Sequence, residues 1–144
     1  MQDLLELGTG QVAFFTGLLA GFSLTAAVHI LRHGLTGFFA QLTFYLFVLT
    51  TLLLFVALYT DVRLTIELAG LKSVSPEAEA LVKKIRIIGT NCATAGFFCF
   101  VVSIGLMGWV ARPIMGILTT LTALAALAAL YHIWNSVFAL QAAL

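Results

Sequence analysis

Four apolar stretches, at about 11–31, 36–60, 87–111 and 113–140, alternate with polar connections, and every Asp, Glu, Lys and Arg falls outside them or at their rims. A helix crosses a hydrocarbon layer of about 30 Å with about 20 residues, so each stretch is long enough to span. A charge at the bilayer centre costs a few kcal/mol, which explains why the charged positions are displaced to the ends. The pattern predicts an all-α polytopic membrane protein, one domain over residues 1–144 with four transmembrane helices. Connections as short as Arg32-His33-Gly34 and Arg112-Pro113 force consecutive helices to run antiparallel in a bundle.

The boundaries follow from capping chemistry. The segment from Asp61 to about Ser75 is the one long connection expected, and it closes in Ser75-Pro76-Glu77-Ala78-Glu79. There a serine can cap, proline suits the first helical position, and acids face the positive end of the helix dipole. Helix three therefore starts in water near Pro76 and enters the membrane after Arg86, with Glu79 one turn before Lys83 on the exposed part. Helix four has no breaker after Pro113 and overshoots the bilayer at about 46 Å. The start, Met1 to Glu6, lacks the positive region of a secretory signal, so the first stretch reads as a retained helix. Arg63, Lys72, Lys83, Lys84 and Arg86 share one side with both termini, against Arg32 and Arg112 on the other. Excess Lys and Arg marks the cytoplasmic face, so both termini are expected in the cytoplasm, with the protein in the inner or plasma membrane and the lipid bilayer as its first partner.

Composition sharpens the class. With 62% hydrophobic and 9% charged residues and a mean hydropathy of +1.12, the chain carries more apolar surface than a soluble domain of this length could hide. A net charge of +1 says nothing about nucleic acid, and with no basic run to bind it no nucleic-acid partner is expected. Cys92 and Cys99 stand one heptad apart, about 10 Å along a helix, too far to bridge, and read as reduced packing residues. No Ser-His-Asp set, metal-binding doublet, phosphate loop or paired intramembrane carboxylate is read in the chain, so no enzyme and no cofactor are expected. His33 beside Arg32 reads as solvated or headgroup-facing, and Asp61, Arg63 and Glu67 as a solvated rim. His132 reads as satisfying a neighbouring hydroxyl or carbonyl, with Tyr131 and Trp134 as interface anchors. His29 and His132 belong to opposite leaflets, which argues against a haem held between them. Gln41, Asn91, Thr94 and Asn135 are candidates to bridge helices.

Helix one is the unusual element. Gly8, Gly10, Gly17 and Gly21 lie along it, and Gly17-Leu18-Leu19-Ala20-Gly21 has the GxxxG spacing that lets helices pack closely in lipid. Phe14, Leu18, Gly21, Phe22, Thr25 and His29 recur every three or four residues and share one face, which passes from apolar to polar and ends at a histidine.

The run Gly17-Leu18-Leu19-Ala20-Gly21-Phe22-Ser23-Leu24-Thr25-Ala26-Ala27-Val28-His29-Ile30 resembles the pore helix of the Orai family, the pore subunits of store-operated calcium channels, as in a distant, prokaryote-like relative. Ser75-Pro76-Glu77 resembles the start of that family's third helix, Gly108-Trp109-Val110 its end, and Tyr131-His132-Ile133-Trp134-Asn135-Ser136 the pattern near the cytosolic end of its fourth. The resemblance implies a homo-oligomer, a hexamer in that family, with helix one around a single pore and the other helices outside it. Both termini would then be cytosolic. Phe14, Leu18, Gly21, Phe22, Thr25 and His29 would line the pore, and His29 would stand where the family has its acidic selectivity residue. Thr25 replaces an aliphatic side chain, Gly10, Gln11 and Phe14 stand near the place of the family's basic inner section, and no recognition site for a cytosolic activator is visible. Carboxylate rings suit Ca²⁺, whereas neutral imidazoles suit softer ions, so a ring of His29 would favour a borderline divalent cation. Imidazole is the side chain that gains charge between about pH 5 and 8, so such a ring would repel cations as pH falls. The alternative reading is a non-catalytic structural or accessory subunit that packs its glycine face against a larger membrane complex.

Overall fold

The computed structural model describes the backbone of residues 2–69 and 76–143, and the side chains of 11–68 and 76–133. Four helices follow in order: α1 (Gln2–His33), α2 (Phe38–Ala69), α3 (Pro76–Ala111) and α4 (Pro113–Ala143). Each contains a stretch long and apolar enough to cross a membrane: Gln11–His33, Phe38–Leu68, Pro76–Ala111 and Pro113–Ile133. Large apolar side chains are exposed along all four, among them Phe15, Leu52, Phe55, Ile104, Leu121 and Ile133. Outward-facing aliphatic and aromatic groups in that number need hydrocarbon around them. The protein is an all-α integral membrane bundle.

Helix lengths correct one expectation. The residues after Asp61 do not form a long connection, because α2 continues to Ala69. Val62, Leu64, Ile66 and Leu68 keep the apolar content high through this end, and no proline or glycine intervenes before Gly70. Arg63 and Glu67 pair at 3.0 Å across one turn, both more than half exposed, which adds only a few tenths of a kcal/mol. Charge marked where water begins and not where the helix ends. At 31 to 36 residues, about 46 to 54 Å, all four helices exceed the hydrocarbon thickness, where overshoot was expected of α3 and α4. Pro76 is the first residue of α3, as its chemistry demands; the Ser75 cap, Lys72 and the side chains of Gly8, Gly10, Trp134, Asn135 and Ser136 lie outside the described residues.

Consecutive helices pack antiparallel in the order α1, α2, α3, α4, so α2 and α3 form the middle of the bundle. The α1–α2 connection turns on two glycines with positive φ, Gly34 at 90° and Gly37 at 94°, a conformation that L side chains resist. Gln41 donates to the Leu35 carbonyl at 3.4 Å and closes this turn; it does not bridge helices. Beside the turn lies the apolar core of Ala27, Ile30, Ala40 and Phe47, against which Phe100 of α3 packs edge-on.

Close approach is made by small residues on α3. Gly89 and Gly96 leave room for Thr60 and Leu54 of α2, and a Cβ at either would come within 2.9 Å of those side chains. On another face of α3, Gly105 and Gly108 meet Ala123, Thr119 and Met115 of α4, and Gly116 of α4 lies under the indole of Trp109. Thr119 Oγ1 donates to the Gly105 carbonyl at 2.8 Å, and Trp109 Nε1 donates to Thr120 Oγ1 at 2.9 Å. Phe39 of α2 stacks on Trp109, with centroids 5.4 Å apart, and ties the clasp to the rest of the bundle. Thr16, Ser23, Thr25 and Ser103 spend their hydroxyls inside their own helices, bonding carbonyls four residues back, whereas the buried Thr43 and Thr50 hydroxyls of α2 have no hydrogen-bond partner. Cys92 and Cys99 are half-buried free thiols.

Candidate functional site

α1 has two opposed faces. Thr16, Ala20, Ser23, Ala27 and Ile30 are buried and form a stripe of mostly small side chains. Small residues every three or four positions let α1 lie close against α2. The residues that sequence reading singles out are all exposed in the protomer: Phe14, Leu18, Gly21, Phe22, Thr25 and His29. At 100° per residue the centres of the two sets lie roughly 170° apart around the helix. Packing against α2 therefore leaves the second set facing away from α2, in a column of about 22 Å from Phe14 to His29.

That column is graded. Phe14, Leu18 and Phe22 stand one turn apart and leave 66, 44 and 59% of their surfaces uncovered. Gly21 has nothing within 4 Å of the place a Cβ would take, so it provides a flat spot beside Phe22. Gly17 is turned partly toward α2, where a Cβ would lie 3.8 Å from Leu58. The two glycines of the GxxxG spacing thus have different surroundings: one touches α2 and the other faces outward. Thr25 donates to the Gly21 carbonyl at 2.9 Å, which satisfies its proton within the helix and keeps this section weakly polar. His29 follows at the polar end.

The structure adds a residue to this end. The His33 ring lies 4.2 Å from that of His29, with planes tilted by 46°, and His33 Nδ1 is 2.9 Å from the His29 carbonyl oxygen. His33 is exposed, as its place beside Arg32 suggests, yet it is also part of a histidine doublet one turn long. The four-residue spacing is the signal that finds it. Arg32 and Arg112 share this end of the bundle, whereas all six acidic residues fall toward the other ends of their helices.

Between α1, α3 and α4 a cleft of about 790 Å³ opens near the opposite side, with Phe15, Leu18, Leu19, Thr94, Phe97 and Ile133 on its walls, so the α1 column borders this cleft at Leu18. It is apolar and holds no titratable side chain. Set against known proteins, the chain matches no family model, no curated protein and no solved structure.

Proposed function

We propose that the chain is the pore-forming subunit of a homo-oligomeric, Orai-like cation channel, in which α1 of each copy lines a common axis. The observation that carries this reading is the exposed column on α1, which ends in a glycine, a threonine and a histidine where a lipid-facing helix would place aliphatic side chains. Polar and ionisable groups on spanning helices generally face protein or water, because hydrocarbon penalises them. A ring of copies with α1 inward satisfies that demand. It gives an apolar inner section from Phe14 to Phe22, a narrow lumen able to gate by dewetting, and an imidazole ring at the outer mouth. The termini on the Lys/Arg-rich side would then face the cytoplasm.

The test is assembly. In mild detergent, light scattering is expected to give a mass of several chains, six in the Orai arrangement. With Cys92 and Cys99 replaced by serine, Phe22→Cys is expected to cross-link into dimers, while Leu52→Cys on the outer surface of α2 is not. A single-chain mass with no cross-link through Phe22 would remove the channel reading and leave an accessory subunit.

A second expected result concerns charge at this mouth. His33 and Arg32 on the same helix and Arg112 at the α3–α4 junction belong to the end of the bundle that holds His29, and no Asp or Glu does. A positive side chain in every copy repels cations and a negative one attracts them, so His29→Arg should lower cation flux into liposomes and His29→Glu should raise it. Flux equal to wild type in both variants would place His29 away from the ion path.

A further inference from the structure

We propose that His29 and His33 form a two-imidazole site for a borderline divalent transition ion of the Zn²⁺, Ni²⁺ or Cu²⁺ class. The site is built within one protomer, so it does not require the channel assembly and differs from a ring of His29 copies.

Two histidines four residues apart on one helical face are the spacing from which helices ligate zinc. Here the two rings are neighbours on that face, with centroids 4.2 Å apart and planes tilted by 46°. Metal–imidazole bonds are about 2.0–2.1 Å, so rotation of the His29 side chain can bring one of its nitrogens onto an ion held at His33 Nε2. The second argument is the hydrogen bond behind His33. The His29 carbonyl only accepts, so His33 Nδ1 must carry the proton, 2.9 Å away. Nε2 of His33 then keeps its lone pair and is held in orientation, the arrangement that metal-binding histidines adopt when a backbone carbonyl takes their other N–H.

The charge around the pair sets the selectivity. Arg32 lies on the same turn, Arg112 is at the same end of the bundle, and no Asp or Glu belongs to that end. Hard cations such as Ca²⁺ and Mg²⁺ need carboxylate or carbonyl oxygens that the doublet lacks, whereas nitrogen donors bind the late first-row ions. Both rings are exposed at the end of the α1 span, beside Arg32, where the helix leaves the hydrocarbon, so water can complete the coordination shell.

The experiment uses the full chain purified in detergent without a histidine tag, titrated with ZnCl₂ by calorimetry and with CuCl₂ by electron paramagnetic resonance. Wild type is expected to bind one ion per protomer, with nitrogen couplings from two imidazoles. Because the second imidazole acts intramolecularly, His29→Gln and His33→Gln are each expected to weaken binding on the order of 10²-fold. His132→Gln, in the opposite half of the bundle, should bind as wild type. Wild-type binding no tighter than that of the double variant would overturn the site, and so would loss through His29→Gln with none through His33→Gln. Light scattering on the same samples keeps the two proposals apart, since single protomers that bind the ion would refute the channel and retain the doublet.

Discussion

Gly108→Ala is expected to loosen α3 from α4 and to be the most destabilising single methyl addition in the bundle. A Cβ at this position would lie 2.5 Å from the Met115 carbonyl oxygen and 2.8 Å from its carbon, and would also run into Thr119 Oγ1. Two of those atoms are backbone, so no rotamer change relieves them. The helices cannot slide apart to make room, because Arg112 alone separates them and its N–H and carbonyl are tied to Gly108 and Gly116 at 3.1 and 2.9 Å. Separation would also lengthen the Thr119–Gly105 and Trp109–Thr120 hydrogen bonds. Overpacking of this kind costs about 1–3 kcal/mol, and interhelical hydrogen bonds in membranes add about 0.6 kcal/mol each. A total near 3 kcal/mol should appear as a clear drop in the denaturant midpoint followed by Trp109 fluorescence. Thr119→Val should cost about 1 kcal/mol, since it loses a hydrogen bond and keeps the volume. Gly21→Ala, with open space around it, should leave the protomer unchanged or slightly more stable, because alanine is the better helix former. A Gly108→Ala midpoint equal to that of wild type would show that the clasp does not hold the helices.

That contrast between Gly108 and Gly21 shows what the chain discloses and what it conceals. The four spans are legible because the bilayer penalises charge so heavily that Asp, Glu, Lys and Arg map the water boundary. The same rule misplaces the end of α2, since a helix passes from lipid into water without stopping, and Asp61, Arg63 and Glu67 are helical. Interhelical contact is harder to read. GxxxG draws attention to Gly17 and Gly21, yet the tightest approaches use Gly108 on α3 and Gly116 on α4. Glycine lowers the steric barrier on whichever side another helix happens to lie, and only the partner decides which glycines are used. The outward column on α1 was legible as a period, because Phe14, Leu18, Gly21, Phe22, Thr25 and His29 share one angle. Its opposition to the Thr16–Ala20–Ser23–Ala27–Ile30 stripe required α2 to be in place. His33 is absent from that reading because its neighbour Arg32 assigns it to the headgroups, while the His29 carbonyl and ring one turn back define its actual surroundings.

Phe22→Ser should give the largest functional effect: a steady cation leak through an otherwise closed assembly. In the proposed channel Phe14, Leu18 and Phe22 form successive rings about 6 Å apart, and a narrow apolar section of that kind excludes water, and with it ions, without being physically blocked. Fully burying a phenylalanine side chain is worth up to about 3 kcal/mol, and that apolar surface, repeated around the axis, sets the cost of wetting. Replacing it with a hydroxyl in every copy lowers the barrier by more than the 1.4 kcal/mol that corresponds to a tenfold rate, so flux into liposomes should rise at least about tenfold. The fold should survive, because Phe22 is 59% exposed in the protomer and so gives up little internal packing. Leu121→Ser on the outer surface of α4 removes a comparably exposed apolar group, 59% uncovered, from a face with no part in the lumen, and should leave flux at the wild-type level. The pair separates the two functional classes without reference to subunit number. A leak through Phe22→Ser alone requires that this face line water, whereas two silent variants would mean that α1 meets lipid or another protein, and the graded column from Phe14 to His29 would then be a packing surface.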